Sequence, residues 1–283
     1  MEHNVSKNTA LISGVPRSGT TLCCKLLNQC TDVVALHEPL DPQKVAFSKR
    51  NLAVAEIKNQ ITELRANLLK GNAIEHGNKS SLVLDNPIAE EATTKTGIRN
   101  LSAIRGLITI PPVKKNTKVF IKQNAMFAAL IHELKNEFNI TAIIRNPIDV
   151  ITSWMSVGLP VNKGRIPGGE KFDENLRSDL SSINSVLKRQ VFIYHWFLKQ
   201  FVSSGVTLLR YEDIIESKGQ SLYDACDVKG KIDESMVRRF SHKPEFSDDL
   251  IAVVKVLNYE LISPYYTSQE IEEALHRTIN GLD

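Results

Sequence analysis

The chain has 283 residues and a formal net charge of +3. That length suits one large α/β domain or two small ones, and so small a charge excludes a surface built to hold nucleic acid. Apolar residues make up 42%, which excludes a disordered chain, and no apolar run is long enough to span a bilayer.

Cys23, Cys24, Cys30 and Cys226 have neither disulfide-framework nor zinc spacing, and no other metal-ligand set stands out. They read as small buried hydrophobes in a reducing compartment. Residues 1–8 are polar and carry no signal-peptide pattern. A soluble, cytoplasmic protein with no membrane or nucleic-acid partner is expected, its oligomeric state open.

The first strong pattern is strand, turn, helix. Residues 9–13 are β-prone, Gly14-Val15-Pro16-Arg17-Ser18-Gly19 is a turn, and residues 22–27 carry apolar side chains at helical spacing. Such a turn aims backbone N–H groups at one spot before a helix N-terminus, a place that favours an anion such as phosphate. Arg17 adds charge; Ser18, Thr20 and Thr21 add hydroxyl donors. Gly14 and Gly19 have the Walker spacing and Thr21 fills its last place, but Thr20 stands where the lysine belongs. A nucleoside-triphosphate site would lack its phosphate-reaching cation. A phosphate loop and an ordinary βα turn with an exposed arginine are both open at this point.

Residues 31–35 suggest a second strand, leading into Leu36-His37-Glu38-Pro39-Leu40, a loop with an acid near where the first loop must open. Residues 43–70 turn helical, with Ile57, Ile61, Leu64 and Leu68 on one face and Gly71 as the stop. The weakly patterned stretch 72–117 is expected to hold short helices and loops covering a substrate site. Residues 118–122 read as a buried strand, 125–138 as an apolar helix and 141–144 as another strand. That strand runs into Arg145-Asn146-Pro147-Ile148-Asp149, where Asn146 suits an N-cap, Pro147 the first helical position and Asp149 the positive helix end. The helix is expected over 147–155, with Ser153 near its end. A mobile loop is expected over 158–169, one long helix over 175–203 ended by Gly205, and a strand over 206–209 followed by Arg210-Tyr211-Glu212-Asp213. The last seventy residues read as helical and irregular, with Arg238, Arg239 and Lys243 as a basic cluster.

Short apolar strands alternating with helices give the fold class α/β: a single domain over 1–283 with a central, mostly parallel sheet flanked by helices. Ligands of such sheets sit at the carboxyl ends of the strands. That rule gathers Arg17, Lys122, Arg145 and Tyr211 on one edge.

With these residues in view, the chain resembles the sulfotransferases that use 3′-phosphoadenosine 5′-phosphosulfate (PAPS) and release the bisphosphate PAP, which share a P-loop-like fold. Pro16-Arg17-Ser18-Gly19-Thr20-Thr21 is similar to their 5′-phosphosulfate loop, in the version found in Golgi-type, tyrosylprotein and many bacterial members. Arg145 through Ser153 is similar to their 3′-phosphate motif, and Leu209-Arg210-Tyr211-Glu212-Asp213 to a third recurrent segment. The resemblance implies that residues 16–21 hold the 5′-phosphate and sulfate, Arg145 and Ser153 the 3′-phosphate, and Tyr211 the adenine. Lys122 matches a lysine that stabilises the transferring group, with no metal required. Asn124 stands where cytosolic members carry their histidine base. Glu38 falls at the separation of the glutamate used by tyrosylprotein members, with His37 as the neighbouring alternative. A partly desolvated Glu38 is expected to have a raised pKa suited to a general base. The cytosolic C-terminal Arg-Lys-Gly pattern is absent, and Arg238, Arg239 and Lys243 are the candidates to complete 3′-phosphate binding. The expected acceptor is a small molecule of natural-product type; saccharide, lipid and peptide acceptors are the alternatives. A P-loop kinase or a non-catalytic nucleotide-binding module are the rivals from other classes.

Overall fold

Thr9–Gly14 is buried along its whole length, as a strand covered on both faces must be. It forms β1 at the centre of a five-stranded sheet, in a computed structural model that describes residues 7–45, 49–83, 86–89 and 97–281. The other strands of this sheet are β2 (Val33–His37), β5 (Lys118–Lys122), β6 (Asn139–Ile144) and β7 (Thr207–Arg210). Their order is β2-β5-β1-β6-β7, and every pairing is parallel. A separate antiparallel pair joins β3 (Ile74–His76) to β4 (Gly106–Ile108).

The helices are α1 (Thr20–Leu27), α2 (Arg50–Lys70), α3 (Ala125–Ala129), α4 (Ile131–Leu134), α5 (Pro147–Met155), α6 (Pro167–Glu170), α7 (Glu174–Ser182) and α8 (Val186–Ser204). After β7 come α9 (Tyr211–Glu216), α10 (Gln220–Ala225), α11 (Ser247–Val256), α12 (Tyr259–Ile262) and α13 (Ser268–Asn280).

The strand period of two sorts side chains between two cores. Leu11, Leu36, Val119, Ile121, Ala142 and Ile144 pack with α2 to α5, α7, α8, α11 and α13. Ala10, Ile12, Ala35, Phe120 and Ile143 pack with α1, α9 and α10. The four cysteines are free and buried, and those of α1 belong to the second core. Burial pushes the Cys24 thiol up to about 12 and Cys226 to about 11, so both are protonated packing groups.

Several expected elements differ in detail. The second strand starts two residues late because Asp32, at φ 54, turns the chain just before it; His37 thereby ends β2 and Glu38 follows it. The helix expected over 125–138 breaks at Leu130: the Glu133 N–H reaches Leu130 O, and the Ala129 carbonyl accepts from Arg50 Nη2 at 2.5 Å. The helix expected over 175–203 is two, divided where the Ile183 carbonyl accepts from Arg189 and the Ser185 hydroxyl accepts the Lys188 N–H to cap α8. Stretch 158–169, expected as a mobile loop, holds a 3-10 turn (Pro160–Lys163) and the start of α6, tied by the Arg165–Glu170 ion pair. The described part of 72–117 contains the β3–β4 pair where short helices and loops are expected.

Candidate active site

All five parallel strands end on the same side. Their carboxyl ends deliver, in spatial order, His37 and Glu38 (β2), Lys122 (β5), the Gly14–Gly19 turn (β1), Arg145 (β6) and Tyr211 (β7). With strands about 4.8 Å apart, the row is roughly 19 Å long. It lies along one cavity of about 790 Å³, within the size range of small-molecule sites.

The turn after β1 is fixed from beneath. Gly14 has no room for a side chain: a Cβ there would lie 2.6 Å from the Ile143 carbonyl oxygen and 2.5 Å from the Thr20 methyl. The buried Ser18 hydroxyl lies 2.7 Å from Val15 O and 2.9 Å from Ile143 O. It therefore staples the turn to the sheet and does not face the cavity, contrary to its expected role as a hydroxyl donor to a ligand. Trp154 of α5 donates its indole N–H to Pro16 O at 2.8 Å. Gly19 adopts φ 87 at the start of α1, and no side chain caps that helix. Its first N–H groups meet the cavity beside Pro16, Arg17, Thr20 and Thr21, all of them lining residues.

Arg17 sits at φ 74, in the left-handed region. Its side chain bonds neutral groups, Ser153 Oγ from Nε and Asn86 Oδ1 from Nη1, both at 3.1 Å. Burial first, then the charges of Arg99 and Arg145, lower its pKa to about 10. Three guanidiniums thus press on one space, and an anion there relieves both penalties.

At the β2 end, Lys122 Nζ donates to Glu38 Oε1 at 2.6 Å; the lysine side chain is 3% exposed and the glutamate 40%. Burial pushes the Glu38 carboxyl up, but Lys122, His37 and the Lys122 hydrogen bond together outweigh it and hold the group down at about 2. The expectation of a raised pKa is thus reversed, because sequence spacing did not reveal the lysine bonded to the carboxylate. His37 lines the same end. Burial and the Lys122 charge depress it to about 3, leaving it neutral, and its buried Nδ1 has no partner among the described residues.

At the other end Arg145 lies 4.5 Å over the Tyr211 ring and donates to Arg239 O at 2.9 Å. The same ring packs on Gly19, whose Cβ would lie 2.5 Å from ring atom Cδ2. Tyr211 therefore packs against both the turn and Arg145, and it also lines the cavity. Ser153, expected to work with Arg145, accepts from Arg17, so the turn after β1 and the segment from Arg145 to Ser153 meet.

These features are matched by a family model. The model for the sulfotransferase domain covers residues 7–246. The chain belongs to the sulfotransferase family. It is similar in structure to a sulfotransferase from Alicyclobacillus acidocaldarius, at 14% identity and TM-score 0.37 over 95% of each chain. It is also similar to the sulfotransferase domain from the curacin biosynthetic pathway, at 13% identity and TM-score 0.37 over 94% of this chain and 81% of that one. No curated protein matches. Membership disposes of the kinase reading that the near-Walker spacing left open.

The cavity is also lined by residues that carried no sequence signal. Asn86 and Arg99 line the cavity from the weakly patterned stretch, and Arg99 is held by Ser156 Oγ at 3.1 Å. Of the basic cluster near the C-terminus, Arg239 lines the cavity. Arg238 turns away to Asp149 (3.2 Å) and Glu212 (3.5 Å), and Lys243 pairs with Glu245.

Proposed function

We propose that this sulfotransferase takes the sulfuryl group of PAPS and transfers it by in-line displacement to a hydroxyl or amine of a small molecule of natural-product type. The observation that carries the reading is the spatial row itself: a lysine–carboxylate pair, an uncapped helix N-terminus with Arg17, and an arginine–tyrosine stack along one cavity. Residues 16–21 suit the 5′-phosphosulfate, with Ser18 bracing the turn from beneath. Arg145 and Ser153 suit the 3′-phosphate, and the Tyr211 edge suits the base. Met126, Leu159, Val161 and Ile166 line the cavity and favour an acceptor with an apolar body.

In the reaction, Glu38 takes the acceptor proton as the acceptor heteroatom bonds sulfur. The bond from sulfur to the phosphate oxygen breaks, and its electron pair stays on the phosphate. Lys122, Arg17 and the turn N–H groups neutralise that charge. A carboxylate held at about 2 is a weak base. Competition of an anionic donor for Lys122 loosens the Glu38 bond and lets burial raise the carboxyl toward a useful range.

Calorimetry with PAP and with ATP-Mg, followed by mass spectrometry of metabolite extracts incubated with PAPS, tests the reading. PAP is expected to bind at least tenfold tighter than ATP-Mg, and sulfated products to appear. Glu38→Gln is expected to lower turnover by about 100-fold or more while PAP affinity stays within about twofold. Unchanged turnover would remove Glu38 as the base.

A further inference from the structure

β2 is an outer strand with a sheet neighbour on one side. Its inward-facing groups pair with β5, and the Glu38 N–H continues that ladder to Lys122 O at 2.9 Å. Alternation then turns the backbone groups of Ala35 and His37 outward, where an edge strand commonly leaves them to water. Here side chains and one glycine satisfy all four. The Asn28 amide serves Ala35 twice, Nδ2 donating to Ala35 O and Oδ1 accepting from Ala35 N–H, each at 2.8 Å. Gly77 N–H donates to His37 O at 2.7 Å, and His37 N–H donates to His76 Nε2 at 3.0 Å.

A backbone N–H can only donate, so Nε2 of the buried His76 is unprotonated and the ring proton lies on Nδ1. That nitrogen is 2.8 Å from Asn78 O, which accepts its proton, and 3.2 Å from the Asn78 N. Gly77 must be glycine, since a Cβ would meet the His37 ring at 2.5 Å. One residue on, Arg105 donates to Glu38 O at 2.8 Å and Leu40 O at 3.1 Å. Glu38 stands between these anchors at φ 49, with its carboxylate on Lys122.

We infer that His76 and Arg105 are positioning residues for Glu38: they form a strand edge made of side chains, which holds the left-handed backbone that presents the carboxylate to Lys122 and the cavity. The inference rests on the reading of Glu38 as the base. His76 acts through the His37 N–H, Arg105 through the Glu38 carbonyl. Its partner Asn78 apart, the charged and titratable groups facing His76 are His37, Arg105 and Glu38. Protonation of Nε2 would set two N–H groups against each other, so the neutral ring is the working form.

Isotope-labelled protein with hydrogen exchange and carboxyl NMR tests this without an acceptor. His76→Asn and His76→Gln are the decisive pair, because only glutamine reaches far enough to accept the His37 N–H. In His76→Asn, exchange of the His37 amide is expected to accelerate about tenfold or more, and the Glu38 titration to move up from about 2. His76→Gln should stay near wild type in both. PAP affinity should remain within about twofold throughout. Arg105, with 40% of its side chain exposed, supplies a variant that spares the core: Arg105→Lys keeps the nearby positive charge, loses the forked bond to Glu38 O and Leu40 O, and should raise the Glu38 titration too. Equal behaviour of the Asn and Gln variants, or an unmoved Glu38 titration in His76→Asn and Arg105→Lys, would overturn the proposal. So would a loss of PAP affinity parallel to the loosening, which marks a merely structural role. Failure of wild type to bind PAP would instead strike the donor reading, and the Glu38 titration could still be read.

Discussion

Glu38 keeps its charge where burial alone would remove it, and that has a pH signature. Its folded pKa of about 2 lies below the ordinary 4.5, so the stability it contributes is complete above pH 4.5 and lost as the pH falls through about 2. Thermal melts of wild type and Glu38→Gln should differ at neutral pH and converge across that window. Gly19 tests the turn in another way. At φ 87 and with Tyr211 within 2.5 Å of a Cβ, Gly19→Ala meets a backbone cost of about 1–2 kcal/mol as well as the ring. Its melting temperature should fall and its PAP affinity drop at least tenfold by calorimetry, with Tyr211→Ala in the same background recovering part of the loss. Residues like these were legible because each lies in a turn that follows a buried strand, and the end of such a strand can be read from a few neighbouring residues. The Lys122–Glu38 bond was not, since its partners are 84 positions apart.

Elements punctuated by local chemistry match their expected bounds. α5 spans Pro147–Met155, with the Asn146 side chain accepting the Ile148 N–H, because cap, proline and acid all act within one turn. β5 matches for a similar reason: its five residues are an uninterrupted β-prone run. Breaks imposed by distant side chains leave no such trace. Arg50 reaches across to the break between α3 and α4, and the apolar face of 175–203 runs through the interruption before α8. Asn86, Arg99 and Arg105 were missed because nothing periodic surrounds them; their roles exist only in the contacts they make. α5 has a second duty, holding the turn through Trp154. Trp154→Phe keeps most of the packing and loses the bond to Pro16 O, worth about 1 kcal/mol. PAP affinity measured by calorimetry should weaken about fivefold while α5 remains helical by circular dichroism.

Across the whole molecule, Asp149 links three parts of the chain. Its side chain, 3% exposed, faces Arg145 at 3.5 Å, Arg238 at 3.2 Å and Arg277 of α13 at 3.6 Å. Asp149→Ala strands these guanidiniums and should cost about 3–5 kcal/mol, read as a lower urea midpoint. The strand order carries a consequence for biosynthesis. β1 is made before the other strands of its sheet, yet its partners are β5 and β6, and Gly14 is matched with Ile143. At 5–20 residues per second, both edges of β1 lack a mate for roughly 5–22 s, until β5 is made, and one edge lacks its mate for roughly 6–26 s, until β6 is made. The turn that follows β1 leans on the Ile143 carbonyl through Val15 and Ser18, so it is made early in this domain and its shape is completed late. A nascent chain that stops short of β6 therefore presents an apolar strand for a chaperone to shield and a turn without its support.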